Sequence, residues 1–563
     1  MKVVIVGGVA GGATAAARIR RLNEQAEIVV YERSGFISYA NCGLPYYIGG
    51  VIEDERELTL QTPESFWKRF RVKMKVHHEV TAICPENKTV TVKNLENGTV
   101  FTESYDKLLL SPGAKPIKPD FNGLDSERIF TLRTVEDTLR MKRFVAGGVK
   151  SAVIVGGGFI GIETAENLSA LGIQVTLIEA AEQLMSPFDR DMASFIHAEL
   201  RKNAIDLRLS TTVEDFAETD DGIDVRLKNA PTLHADMAVL AIGVTPDTIL
   251  AQSAGLELGV KRSIVVNDRM ETSVPDIYAV GDAVQVKHFV TGRNTLISLA
   301  GPANKQGRIA ADNLCGGDSR YTGGQGSSVI RIFNLTAAVT GINERTAKAL
   351  GIAADQVILS PMSHAGYYPG GTVMTMKVLF EKESYRLLGA QIVGYDGVDK
   401  RIDVLATAIR AGMKAYELTE LDLAYAPPYS AAKDPVNMAG FIVENLKCGI
   451  AKQWYYEEEE ALPRDGSVTL LDTRTPTEYD RGHIAGFINI PVDDLRDRLG
   501  ELDRRKPVYV ICQSGLRSYI ASRILAGNGF DAYNFAGGFR FFNAVKNDVV
   551  CSKKSTPCGM DQL

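Results

Sequence analysis

Two of the seven cysteines stand in surroundings where a sulfur atom could do chemistry. Cys42 lies in the run Ser38-Tyr39-Ala40-Asn41-Cys42-Gly43-Leu44-Pro45. A cysteine followed by glycine and flanked by polar residues has an accessible backbone. Its thiol can pass electrons to and from a cofactor held beside it, or it can be a buried structural sulfur. Cys512 opens the run Cys512-Gln513-Ser514-Gly515-Leu516-Arg517-Ser518, directly after the apolar Val510-Ile511. A cysteine at the C-terminal end of a strand, with a short loop closing on a helix, meets converging backbone N–H groups. Those donors and Arg517 favour a thiolate, and then a persulfide anion. Phosphatase loops carry one more residue between Cys and Arg, so the shorter loop favours sulfur transfer. His483 reads as a structural turn residue rather than a base. Cys551 and Cys558 form a C-x6-C tail, either incidental or an accessory redox pair. No CxxC is present, and no metal site is expected.

The elements that must position these sulfurs repeat. Lys2–Val6 is an apolar run feeding Gly7-Gly8-Val9-Ala10-Gly11-Gly12, a helix through Arg21, and a strand ending at Glu32. Ser151–Val155 feeds Gly156-Gly157-Gly158-Phe159-Ile160-Gly161, a helix through Leu171, and a strand ending at Glu179. Gly12 to Glu32 is 20 positions and Gly161 to Glu179 is 18, close to the spacing of about 20 in a dinucleotide-binding βαβ unit. The glycines let the backbone approach a pyrophosphate, the helix start supplies N–H groups, and the acid accepts bonds from a ribose. The second unit is a full G-x-G-x-x-G; the first has Val9 at the middle position. Two buried strands end in Ser111-Pro112-Gly113 and in Gly243-Val244-Thr245-Pro246, and another ends in Gly281-Asp282. Asp282 could bind a ribityl hydroxyl or cap a helix. Glu179 is followed by Ala180-Ala181 with no nearby arginine in sequence, which favours a free 2′-hydroxyl and so NADH over NADPH.

Composition sets the limits. The 563 residues suggest about three to five domains. Hydrophobic residues make up 45% and charged residues 23%, as in ordinary folded proteins. The net charge of −6 argues against nucleic acid or an anionic membrane as a bulk partner. No apolar run reaches 18 residues, so no membrane-spanning helix is expected. The N-terminus reads as a buried strand rather than a signal peptide, and the sparse cysteines fit a reducing, cytoplasmic setting. The section from about 326 to 445, with strands over Thr372–Phe380 and Leu387–Val393 and a helix over Asp399–Ala411, has no phosphate loop. The acidic run Glu457–Glu460 reads as a solvated linker edge.

Taken together, residues 1 to about 445 resemble the flavin- and nicotinamide-dependent disulfide reductases. The two βαβ units, the SPGA and AIGVTP strand ends and the VPDIYAVGDA segment carry the likeness. Position 47 is tyrosine, so the C-x4-C of two-cysteine branches is absent and the single-cysteine branch is the nearer one. Its coenzyme A disulfide reductases carry a loop similar to SYANCGLPYYIGG. Its oxidases and peroxidases usually carry a His in the first loop, where this sequence has Ala10. Residues 465–550 resemble a rhodanese domain through DTR, EYDRGHIAGFINIP and the C-x4-R-S loop.

The resemblance implies an α/β fold with two Rossmann-like nucleotide-binding domains, an α+β dimerisation domain and a C-terminal α/β rhodanese domain. The boundaries implied are 1–115 with 245–325 for FAD, 116–244 for NADH, 326–447 for dimerisation, 448–464 as a linker, 465–550 for the rhodanese and 551–563 as a tail. It implies FAD, NADH and coenzyme A as ligands and a homodimer. FAD would be held by Gly7, Gly8, Ala10, Gly11, Gly12, Glu32, Arg33, Ser111, Pro112, Gly113, Gly281 and Asp282. Gly156, Gly158, Phe159, Ile160, Gly161, Glu179 and Gly243 would hold the nicotinamide nucleotide. Tyr367 and Tyr425, with Tyr368 and Tyr429 beside them, would reach the sulfur site from the dimer mate. Ser38 and Asn41 would touch the pantetheine arm, and Arg18, Arg21, Lys68 and Arg71 would meet the phosphates. The implied activity is NADH-driven reduction of coenzyme A persulfide, polysulfide or a related sulfane sulfur, with Cys512 handling sulfane sulfur. Coenzyme A disulfide reduction is the alternative, and a sensor whose output is oxidation of Cys42 is one of another class.

Overall fold

Val3, Val4 and Ile5 are fully buried because their strand has neighbours on both edges and cover on both faces; such strands read as unbroken apolar runs. The computed structural model describes residues 1–552, and these fall into two compact units, residues 1–182 with 205–326 and residues 183–204 with 327–552.

The first unit holds two parallel five-stranded sheets. One is ordered Ile277–Ala279, Lys107–Leu110, Lys2–Val6, Glu27–Tyr31, Lys73–Lys75. The other is ordered Asp206–Arg208, Gln174–Ile178, Ser151–Val155, Met237–Leu240, Ile129–Phe130. The strand preceding each glycine loop lies in the centre of its sheet, so both loops open at a switch in strand order, where α/β sheets hold ligands. The helices after the loops span Ala10–Leu22 and Phe159–Ala170, within a residue of the expected ends. A short antiparallel pair, Ala114–Pro116 with Val244–Pro246, joins the two crossings between the sheets.

The second unit contains an antiparallel sheet ordered Ser328–Ile332, Leu335–Gly341, Leu387–Gly394, Thr375–Glu381, Ala354–Leu359. Helices Val398–Arg410 and Pro435–Lys447 belong to the same unit. It also contains a parallel sheet ordered Gln453–Trp454, Ala532–Phe535, Val508–Ile511, Thr469–Asp472, Ile488–Asn489. Trp454, placed in a linker by sequence, is the edge strand of this sheet; its indole is 1% exposed, packs 4.5 Å from Phe535 and donates to the Val510 carbonyl. The helix Arg190–Lys202, which lies in sequence between strands of the nucleotide sheet, belongs to the second unit. There the fully buried Asp548 receives Arg190, Arg201 and His197, fastening that helix to the last one, Gly538–Ser552. Cys551 is buried in the last turn of that helix rather than in a tail, and Cys558 lies outside the described residues. Among the described residues no helix is long and apolar enough to cross a membrane, and no group of side chains is arranged to hold a metal.

Candidate active site

The two nucleotide loops are built alike to the level of single hydrogen bonds. Glu32 accepts from the N–H of Gly8 (2.8 Å) and of Ser34 (2.9 Å). Glu179 accepts from the N–H of Gly157 (2.7 Å) and of Ala181 (2.8 Å). Each strand-end carboxylate is thereby aimed across the mouth of its own glycine loop. Gly7 and Gly156 have φ of +96° and +112°, the region glycine tolerates. A Cβ at Gly12 would fall 1.9 Å from the Gly7 carbonyl oxygen, and one at Gly161 2.0 Å from that of Gly156. These glycines let helix and strand approach. Gly158 is different: a Cβ there would meet nothing within 4 Å. Internal packing does not demand that glycine, and the open space in front of it fits a pyrophosphate lying on the loop. Arg208, on the neighbouring strand, accepts the Glu179 N–H on its carbonyl but turns its guanidinium onto Asp206. An arginine is therefore close in space although none is near in sequence.

Around the first loop, Ser111 donates its N–H to the Val6 carbonyl, and Gly113 accepts from Asp247. Arg33 pairs with Asp247 at 2.8 Å. Asp282 caps no helix; it forms an ion pair with Arg133 at 2.8 Å. Arg133 has no motif in sequence to mark it, yet it is a hub. With its amide oriented to match its partners, Asn41 donates to the Arg133 carbonyl and accepts from Nη1, both at 3.0 Å. Tyr39 donates to the same carbonyl at 3.3 Å. One arginine thus joins the cysteine loop to the Asp282 turn.

Cys42 is exposed in a short turn, Asn41–Gly43, that runs into the helix Leu44–Ile48. Ser38, at φ +45°, donates its N–H to the Gly8 carbonyl, so the cysteine segment leaves the first nucleotide loop directly. At its other end Gly49 meets the second nucleotide helix so closely that a Cβ would fall 2.1 Å from Asn167 Oδ1. Glu163, on that helix, accepts from the Tyr46 hydroxyl at 3.3 Å. Burial raises the Glu163 carboxyl to about 7. The Cys42 thiol is also pushed up, first by desolvation and then by the Glu163 charge, while Arg133 pulls it down.

The expected phosphate contacts divide. Arg18 is held by Asp312 at 2.7 Å. Arg20 is buried and donates to the carbonyls of Phe70 (2.8 Å) and Arg71 (3.1 Å), which brings the two basic segments to one edge. Arg21, Lys68 and Arg71 stay exposed there, Arg71 lying over the Trp67 ring.

In the second unit the hydroxyls of Tyr367 and Tyr425 are 2.6 Å apart. That bond raises the Tyr425 phenol above its ordinary value. The Cys512 sulfur is buried and accepts from the Gly515 N–H and the Ser518 hydroxyl, both at 3.1 Å. Gly515, at φ +95°, turns its N–H inward. The Phe539 N–H donates to the Cys512 carbonyl at 2.7 Å and fixes the loop from outside. Arg517, expected to face the sulfur, forms a two-pronged pair with Glu478 at 2.7 Å and holds that carboxyl down at about 2. Ser518, one residue on, is the side chain that reaches the sulfur. His483 stacks on Tyr479 at 3.8 Å, a turn residue as the sequence suggests.

Comparison with known proteins agrees with this construction. Residues 1–307 match the family described as pyridine nucleotide-disulphide oxidoreductase, residues 328–435 its dimerisation domain, and residues 456–544 a rhodanese-like domain. The reduced Bacillus anthracis CoADR-RHD is similar over 97% of this chain and 98% of its own, with 47% identity and a TM-score of 0.95. A NAD-dependent persulfide reductase from A. fulgidus is similar over 96% of this chain and 100% of its own, with 37% identity and a TM-score of 0.91. A coenzyme A disulfide reductase of Staphylococcus aureus is 37% identical over 442 residues, 78% of this chain and 99% of the relative. With more than half its length in the family match and relatives that span nearly all of it, the chain belongs to the pyridine nucleotide-disulphide oxidoreductases and carries a rhodanese-like domain at its C-terminal end.

Proposed function

We propose that this chain uses NADH to reduce coenzyme A persulfide, polysulfide or a related sulfane sulfur at Cys42, and that Cys512 feeds it sulfane sulfur. The observation that carries the reading is the pairing, in one chain, of a lone cysteine set between two nucleotide loops with a second cysteine cradled by N–H and O–H donors. FAD, when bound, supplies Cys42 with the electron pair it takes from NADH. Gly7, Gly8, Gly11, Gly12, Glu32, Ser111 and Asp282 are proposed to hold it. The loop Gly156–Gly161 and Glu179 hold the nicotinamide nucleotide, with Glu179 favouring NADH.

Cys42 Sγ forms a bond to the coenzyme A sulfur as the S–S bond of the persulfide breaks and hydrosulfide leaves. The mixed disulfide then takes up two electrons and a proton, returning the Cys42 thiolate and free coenzyme A. The Tyr367–Tyr425 pair, presented in our reading by the partner of a homodimer, donates a hydrogen bond to the sulfur that becomes anionic. Arg21, Lys68 and Arg71 meet the coenzyme A phosphates. The same steps with coenzyme A as the leaving group reduce its disulfide, and the S. aureus relative, a coenzyme A disulfide reductase 37% identical over 442 residues, supports that second activity.

Donor size separates delivery from an inert fusion. Wild type should oxidise NADH steadily with coenzyme A persulfide and with a protein persulfide. Cys512→Ser should keep the first rate within about twofold and lose most of the second, because fusion raises effective concentration only for sulfur that passes through Cys512. Equal rates of wild type and Cys512→Ser with each donor would end the delivery idea. No sustained turnover by wild type with either donor would end the reductase reading.

A further inference from the structure

The hydroxyls of Tyr367 and Tyr425 meet although the residues are 58 positions apart and stand 76% and 46% exposed. Two exposed rings on separate loops can meet in one register only if the loops are held at a fixed separation, since ordering each backbone costs entropy that something must offset. What holds both backbones is one buried guanidinium. Arg401, on the helix Val398–Arg410, is 1% exposed. Its Nη2 donates to the Ser363 carbonyl (3.0 Å), which opens the loop carrying Tyr367. The same nitrogen donates to the Tyr429 carbonyl (3.3 Å) and the Ser430 hydroxyl (3.0 Å), which close the loop carrying Tyr425. Nε and Nη2 share Asp434 Oδ2 at 3.2 and 3.0 Å, and Nη1 donates to the Gly397 carbonyl at 3.1 Å. A Cβ at Gly397 would fall 2.1 Å from Nη1, so the bend before the helix is shaped around the guanidinium. The two loops also touch directly, the Ala365 N–H donating to the Ser430 carbonyl at 3.0 Å. Ser430 donates to Asp434 at 2.6 Å, and Asp434 caps the helix Pro435–Lys447 through the Val436 N–H.

We infer that Arg401 is the positioning residue of the tyrosine pair, making two separate tyrosines act as one unit in the sulfur half-reaction. This rests on the reading that the pair serves that half-reaction. A planar fork with five donors can span two loops and a carboxylate at once; an ammonium at the same site can answer Asp434 but not both loops. Arg401→Lys should therefore keep the charge pair and lose the register of the tyrosines.

The test follows the two half-reactions separately by rapid mixing: flavin reduction by NADH, and reoxidation of the reduced enzyme by coenzyme A disulfide. Arg401→Lys should leave the first within about twofold of wild type and slow the second about tenfold or more. Tyr425→Phe should do the same. Because the two act through one pair, the double variant should be no slower than the slower single variant, within about twofold. Losses that multiply, or a wild-type reoxidation rate in Arg401→Lys beside a slow Tyr425→Phe, would overturn the inference. An unimpaired Tyr425→Phe would instead remove the tyrosine reading beneath it. Should Arg401→Lys lose its flavin or its fold, Ser430→Ala takes its place, with the same selective slowing of reoxidation expected; unchanged reoxidation would overturn the inference.

Discussion

Cys42 carries the proposed chemistry, and desolvation first and the charge of Glu163 second make its thiol harder to ionise. Glu163 holds its proton to about 7 because burial disfavours the charge. An unfolded glutamate ionises near 4.3. Between those values the folded chain keeps a proton that the unfolded chain has released, so this group's contribution to stability falls as pH rises toward 7 and is constant above it. Once ionised, Glu163 pushes the Cys42 thiol up. Glu163→Gln should remove that push. Alkylation of reduced Cys42 by iodoacetamide at pH 8 should then run severalfold faster than in wild type, since one pKa unit is about a factor of ten in thiolate. Identical alkylation rates would show that the carboxylate does not act on the sulfur.

At the scale of elements, the second nucleotide loop serves two masters. Its helix Phe159–Ala170 brings N–H groups to the loop at one end, and along its length it carries Glu163 and Asn167 to the Cys42 segment. Gly161→Ala places a Cβ 2.0 Å from the Gly156 carbonyl oxygen, so the helix must shift away from its strand. We expect KM for NADH to rise about tenfold or more, with the flavin retained, because the first loop is untouched. Unchanged KM would mean that this loop does not bind the nucleotide.

The two loops were legible in sequence because central parallel strands bury both faces and end at glycine, leaving apolar run, loop and terminal acid at a fixed spacing. The Cys512 loop was legible because an apolar central strand runs straight into Cys512 and a C-x4-R-S loop, although the side-chain donor to the sulfur is Ser518 and not Arg517. Arg133 was not, because its partners Asn41 and Asp282 are set by tertiary approach and leave no local pattern. Nor was Gln453–Trp454, a strand of two residues, too short for a period of two to show.

At the scale of the whole molecule, the reductase part and the rhodanese-like domain each carry one of the two cysteines given a role in the proposed chemistry, and Cys42 is the one at which the proposed electron transfer reaches sulfur. The most direct test of that role is single-turnover kinetics of Cys42→Ser beside wild type, anaerobically, with NADH in the first mix and coenzyme A persulfide in the second. The variant should bind flavin and be reduced by NADH at a rate within about twofold of wild type, while hydrosulfide release and flavin reoxidation fall by about a thousandfold or more, as removal of an essential nucleophile does. Hydrosulfide release by Cys42→Ser at the wild-type rate would contradict that role.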